Sequence, residues 1–244
     1  QYSNPTVSGE LVDHSLELAE SAGDPMLLSN TLNAKAIMSF YSGNNREAAK
    51  YIKQSIDYVK KARQNMPDSV YPVKRLVAMY GNAGNIYQAM GEMEPALEAL
   101  LTSLRLSDTL TAAEPGDISN LASRVNILNN TAVVYQSLDE PEKAGQLLSE
   151  ALTIGRQLDD PRALLPTLNN IGLIRIDQEK YEEAIGFFIE ALELGRQVSD
   201  SMGISGNYNN LGLIYENLGN KRKARSYYLA SLDITQRLGF SVGI

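Results

Sequence analysis

Three asparagine pairs, Asn129-Asn130, Asn169-Asn170 and Asn209-Asn210, recur at intervals of 40 residues. A carboxamide carries donors and an acceptor on one side chain, so a row of them can hold the main chain of an extended peptide whatever its sequence. The same groups can instead bond to the backbone of a neighbouring unit and set the angle between units, since most side-chain hydrogen bonds go to backbone or water. Other chemistry is scarce. His14 is the single histidine, on a terminal half-unit where exposure is expected, and cysteine is absent. No Ser–His or Cys–His pair and no zinc shell can be assembled from that inventory. Glu182 and Glu183 are neighbours in sequence and therefore diverge on a helix. No glycine-rich phosphate loop follows a strand, because strand-like alternation is absent. No catalysis, cofactor or metal is expected.

The pairs belong to a longer repeat. LNNIGLIRIDQEKYEEAIGFFIEALELGRQVSD begins at Leu168 and returns from Tyr208, with Gly172 matched by Gly212, Ala184 by Ala224 and Ala191 by Ser231. Asn129 to Ala132, with Ala144 and Ala151, is an earlier copy. A period of this size marks a stacked array in which no unit buries its apolar face alone. Each copy divides into two amphipathic helices: Leu168, Ile171, Gly172 and Arg175 form one stripe, and Ala184, Phe188, Ala191 and Leu192 another. Small residues at Gly172 and Ala184 allow close approach, and Phe188 fills the space beside them. The fold is therefore all-α. Composition agrees, with 43% hydrophobic residues, and a net charge of −7 argues against nucleic acid as a partner. No apolar run approaches the ~20 residues that span a bilayer, so no membrane insertion by this segment is expected. A chain without cysteine is compatible with the cytoplasm or a bacterial periplasm.

These residues resemble the tetratricopeptide repeat. Gly212, Tyr215, Gly219, Ala224, Tyr228 and Ser231 occupy the family positions, as do Gly84, Tyr87, Gly91, Ala96, Leu100 and Ser103. Ala132, Tyr135, Ala144, Leu148 and Ala151 form another copy, and Gly172, Ala184, Phe188 and Ala191 another. The most degenerate is Ala36, Gly43, Ala48, Ile52 and Ser55, with Lys35 where an apolar residue is expected. The resemblance implies a right-handed α-solenoid of antiparallel helix pairs, about 11 helices in one array. The array would open with a half-unit over about 8–23, followed by repeats over about 25–64, 69–111, 117–159, 161–199 and 201–239. Anchors at 36, 84, 132, 172 and 212 give steps of 48, 48, 40 and 40 residues, longer than the 34 of the usual repeat. The extra residues lie around 64–69 and 112–117. Asp24-Pro25 and Asp160-Pro161 read as an N-cap followed by the first helical position, while Pro166 predicts a bend or a separate first turn. Residues 240–244 lie one period after 200–204, so a further first helix starts there, as in a segment of a longer protein. Arrays with this Asn-Asn-Leu-Gly pattern resemble the sensor segments of bacterial signalling proteins.

The resemblance also implies a groove lined by the first helices. Its stripe takes Asn82, Asn85 and Gln88, then Asn126, Asn129, Asn130, Val133 and Gln136. It continues with Asn169, Asn170, Leu173 and Ile176, and with Asn209, Asn210, Leu213, Glu216 and Asn217. Carboxamides interleave with aliphatics, which offer shallow pockets for alternate side chains of a peptide or protein segment. A clamp for a terminal carboxylate would need Lys or Arg at matching positions, and these are missing. Arg175 stands where the family prefers Tyr, and pairing with a nearby carboxylate is expected. Basic residues cluster on two second helices, at Lys50, Lys53, Lys60, Lys61 and Arg63 and at Lys221, Arg222, Lys223 and Arg225; a solvated surface is the default for both. A recognition module acting through the groove is thus the leading reading. A scaffold that self-associates through helix faces or array ends, as a homo-oligomer, is the alternative.

Overall fold

The computed structural model describes residues 5–67 and 69–239, with side chains from residue 11 onward. The further helix expected at 240–244 lies outside the described residues. Eleven α-helices and no strand occur among the described residues. Two compact units divide the chain, Gln1–Asp139 and Glu140–Ile244.

Unit 1 holds α1 (Pro5–Ala22), α2 (Pro25–Tyr41), α3 (Asn45–Gln64), α4 (Tyr71–Ala89), α5 (Met93–Ala113) and α6 (Ile118–Ser137). Each packs on the next, and the alternate helices α2, α4 and α6 also touch in sequence along one side. Unit 2 holds α7 (Pro141–Gln157), α8 (Pro161–Asp177), α9 (Tyr181–Gln197), α10 (Ser201–Asn217) and α11 (Lys221–Arg237), again packed in order, with α8 against α10. Helices α3 to α6 run 19 to 21 residues whereas all five of unit 2 run 17. Part of the longer spacing in unit 1 is therefore helix, and part is the connections after α3 and α5.

The helix ends follow from local chemistry. Asp24 caps α2 through bonds from the Met26 and Leu27 amides, and Asp160 caps α8 through the Arg162 amide, each ahead of a proline whose missing N–H has no helical partner to lose. At five turns a residue with positive φ ends one helix and the residue after it opens the next. The Asn44 amide donates to the Ser39 carbonyl, Glu92 to Tyr87, Lys180 to Arg175, Asp200 to Gly195 and Asn220 to Tyr215, all at 2.8–2.9 Å. That is the six-to-one bond of a Schellman motif, and its donor residue in every case is also the N-cap of the following helix. Pro166 does not create a separate turn: α8 is continuous from Pro161 to Asp177 around it. The carbonyl it leaves without an amide belongs to Arg162, and both residues are exposed, so water can serve that group.

Small residues set the distance within helix pairs. A Cβ placed on Gly172 would lie 2.6 Å from the Phe188 ring, one on Gly212 2.5 Å from the Tyr228 ring, and one on Gly84 2.4 Å from Leu100. The first helix thus presents bare backbone to the largest residue of the second. Phe188 is fully buried with Ala184, Leu192, Leu211 and Ile214, a burial worth roughly 3 kcal/mol for the ring alone. In unit 1 the core runs through Ala36, Ile52, Val59, Leu76, Met79 and Ile86. Buried hydroxyls fasten some pairs: Ser55 donates to the Ser29 carbonyl (2.8 Å), Ser103 to Val77 (2.7 Å) and Ser205 to Ser231 (3.1 Å).

Candidate functional site

The first helices carry the carboxamides, and in unit 1 the structure ties them to one another. The Asn82 side-chain amide donates to the Asn33 Oδ1 at 3.1 Å, linking α4 to α2. The Asn130 amide donates to the Asn85 Oδ1 at 2.9 Å, linking α6 to α4. Asn82, Asn85, Gln88, Asn130, Val133 and Gln136 are all half-buried, while Asn126 is exposed. A carboxamide has two N–H donors and an oxygen with two lone pairs. One bond per pair therefore fixes the orientation of each side chain and leaves further donor and acceptor capacity facing outward.

Asn129 corrects the sequence reading. It is only 2% exposed, and its amide donates to the Val125 carbonyl one turn back on its own helix at 2.9 Å. With α4 and α5 both packed on α6, this position turns inward and cannot line a groove. Two features escaped the sequence reading altogether. Asn33 occupies, in the first repeat, the stripe position that Asn169 and Asn209 hold in theirs. A cleft of about 110 Å³ lies between α2 and α4, lined by Ile37, Phe40, Tyr41, Asn82, Asn85 and Ile86. Extending the same positions back into the degenerate first copy finds Asn33, Ile37, Phe40 and Tyr41. Tyr41 stands 83% exposed at the rim.

In unit 2 the stripe is built on α8 and α10, which lie side by side. Asn169, Asn170 and Ile176 are half-buried on α8, with Leu173 40% exposed. On α10, Asn210 is half-buried, Asn209 and Asn217 are exposed, and Leu213 is 39% exposed. Two exposed leucines one repeat apart, flanked by carboxamides, form a mixed apolar and amide surface. Glu216 is engaged rather than open: the Tyr228 hydroxyl donates to its Oε2 at 2.7 Å. Burial first, and then that bond, push the Tyr228 phenol above its ordinary value. Arg175 pairs with Glu183 at 2.7 Å and donates to the Gln178 amide oxygen at 2.9 Å, so this departure from the repeat pattern is neutralised locally.

His14 is exposed and lies 3.7 Å from Glu17. Among the described residues no group of three His, Asp or Glu side chains is placed to hold a metal ion, and no helix is long and apolar enough to cross a membrane. The arrangement offers hydrogen bonds and shallow apolar contacts.

Residues 163–237 and 77–109 each match the tetratricopeptide repeat. No curated protein matches the chain at a significant level. Among solved structures, the chain is similar to BtubC (BKLC) from P. vanneervenii, with 19% identity over 98% of this chain and 92% of that one, at a TM-score of 0.74. It is similar to the apo form of the quorum sensor NprR from B. thuringiensis, with 20% identity over 93% of this chain and 59% of NprR, at a TM-score of 0.72. A third is a Rap protein complexed with Competence and Sporulation Factor, with 18% identity over 91% of this chain and 57% of Rap, at a TM-score of 0.70. At such identities the likeness is one of fold.

Proposed function

Since the chain is built on tetratricopeptide repeats, we propose that it is a non-catalytic recognition module that holds a peptide or protein segment along its first helices. The observation that carries this reading is the pair of bonds Asn82–Asn33 and Asn130–Asn85. They hold four carboxamides in fixed orientations before any ligand arrives, so less side-chain entropy is lost on binding. An extended main chain laid across them would find alternating donors and acceptors, and its side chains would reach the cleft beside Phe40 and Tyr41 in unit 1 or the exposed Leu173 and Leu213 in unit 2. Likeness of fold to a quorum sensor and to a Rap protein complexed with Competence and Sporulation Factor supports a place in a larger bacterial signalling protein. The chain spans 59% and 57% of those two proteins.

The test uses the full chain and a peptide selected on it from a random display library. Replacing Asn82 and Asn130 with Ala is expected to leave the helical circular-dichroism signal intact. Two lost hydrogen bonds at about 1 kcal/mol each would weaken peptide binding about thirtyfold. Unchanged affinity in a folded variant rejects the amide stripe as the site. Melted helices would instead assign those amides to the fold.

A second reading has its own observation. Leu229 on α11 is 52% exposed and lines a cleft of about 370 Å³ together with Ala224, Tyr228 and Leu232. Self-association there would make the chain a scaffold. Sedimentation at increasing concentration separates the two readings, because only the second makes mass depend on concentration and on Leu229.

A further inference from the structure

We propose that the outer face of α3 is a second docking surface, separate from the carboxamide stripe, for an acidic peptide segment of a partner protein. Helix α3 carries six basic residues, Arg46, Lys50, Lys53, Lys60, Lys61 and Arg63, against two acidic ones, a net of +4 in a chain whose net charge is −7. All six are exposed. At 3.6 residues per turn, Arg46, Lys50, Lys53, Lys60 and Lys61 share a sector of about 100°, and from first to last they rise about 22 Å along the axis. That sector points away from Ile52, Ser55, Val59 and Ala62, which are buried.

Asp57 is the one carboxylate of α3 within that sector, so the strip stays net basic. Among the described residues no ion pair joins any of the six to a carboxylate, whereas Lys35, Lys74, Arg124, Arg156 and Arg175 elsewhere are each paired. Glu47, on the same helix, is turned to the Tyr51 and Ser39 hydroxyls. Three of the lysines lie over tyrosine rings instead: Lys50 over Tyr51 at 5.9 Å, Lys60 over Tyr80 at 5.7 Å and Lys61 over Tyr58 at 5.0 Å. A ring face steadies an ammonium group without neutralising it, so its charge stays available to an incoming anion.

Beside the strip, α3, α4 and α5 enclose a cleft of about 300 Å³. Lys53 and Lys60 stand on one wall, Tyr80 and Tyr87 form the floor from α4, and Pro95 and Glu98 close it from α5. A floor of tyrosine and proline suits one apolar side chain, with carboxylates to either side reaching the lysines. Glu98 and Asp57 on the walls oppose a continuous phosphate backbone, which carries negative charge at every step. An acidic segment with an apolar residue among its carboxylates fits both features.

Binding of a fluorescein-labelled (Glu-Glu-Leu)4 peptide to the full chain, followed by fluorescence anisotropy, tests the proposal. Saturable binding is expected. It should weaken about tenfold in K53E/K60E and by a similar factor when salt rises from about 50 to 200 mM. K53R/K60R should keep the affinity, and K221E/R222E, which reverses exposed charges on α11, should leave it unchanged. All four positions are exposed, and circular dichroism checks that each variant is folded. Absence of saturable binding overturns the proposal, and so does an equal loss in the α11 variant. Tighter binding of an oligothymidylate of matched charge, or of phosphatidylserine vesicles, would overturn the peptide as the occupant.

Discussion

The two units use the same contact between helices but different residues at their turns. Gly84 against Leu100 in unit 1 and Gly172 against Phe188 in unit 2 are the same device, bare backbone under a large buried side chain. At the turns, unit 1 places Gly23, Gly43, Gly91 and Gly116 in the left-handed region, with Asp139, its last residue, the non-glycine exception. Unit 2 places Asp159, Glu179 and Ser199 there, with φ from 50° to 59°, before returning to Gly219 and Gly239. A side chain in that region costs about 1 kcal/mol or more, because Cβ crowds the following carbonyl. The packing device varies only between glycine and alanine, with Ala36 and Ala132 at the same place in two copies, while the turns drift further. A Cβ added under Leu100 or Phe188 forces that buried side chain to shift, whereas a strained turn subtracts a small amount that the core offsets.

The largest expected effect probes the shared device. Gly172→Ala and Gly84→Ala should each lower stability by about 3 kcal/mol in urea unfolding, since an added Cβ meets a fully buried neighbour. If either variant matches the wild type, the two units do not share the contact. The turns come next. Glu179→Gly and Ser199→Gly should each raise stability by up to about 1 kcal/mol, and Gly91→Ala should lower it by about the same. Gly91 is the clean control, because a Cβ there meets nothing within 4 Å and only the backbone conformation is charged. Equal responses at Gly91 and Ser199 in both directions would erase the difference between units.

The smallest effect is electrostatic and belongs to unit 1 alone. Between α5 and α6, Glu114 lies 2.6 Å from Lys74 of α4, and the Asn120 amide of α6 donates to the same carboxylate at 3.0 Å. Lys74 first, and Asn120 second, hold the Glu114 carboxyl below its ordinary value, and the Glu114 bond raises Lys74. A lowered carboxylate contributes stability that is present above its unfolded value and lost as pH falls through its folded one. The raised lysine contributes below its unfolded value, losing that only as pH climbs through the folded one, so acid removes the Glu114 share alone. Amide protection factors over 114–121, corrected for the intrinsic exchange rate at each pH, should therefore fall on acidification from neutral pH, and Glu114→Gln should flatten that dependence. Both groups are surface-placed, so the effect is expected to be small.

Much of the helical order was readable because close contacts demand small residues at fixed spacing. Gly84, Gly172 and Gly212 announce the first helices, and Leu100, Phe188 and Tyr228 follow 16 residues after each. What spacing does not encode is rotation against neighbours. Asn129 and Asn209 occupy the same place in their repeats, yet the first is 2% exposed and the second lies open. Asn33 went unread because its repeat has Lys35 inside the stripe, and that lysine reaches out to Asp13 at 2.7 Å rather than into the core. At Pro166 a separate turn is avoided because the freed carbonyl belongs to the exposed Arg162, where water can serve it.

The shared residue at each tight turn has a consequence for how this chain can change length. Where Lys180 both finishes α8 and starts α9, no residue is left to act as slack. One inserted residue at such a junction would turn the next helix by about 100° and carry its apolar stripe toward solvent. Length variation is therefore admitted only where the chain leaves one helix well before entering the next, after α3 and after α5. There the 48-residue units already keep part of their extra residues, and there an insertion or a grafted loop could be carried without disturbing a single helix face.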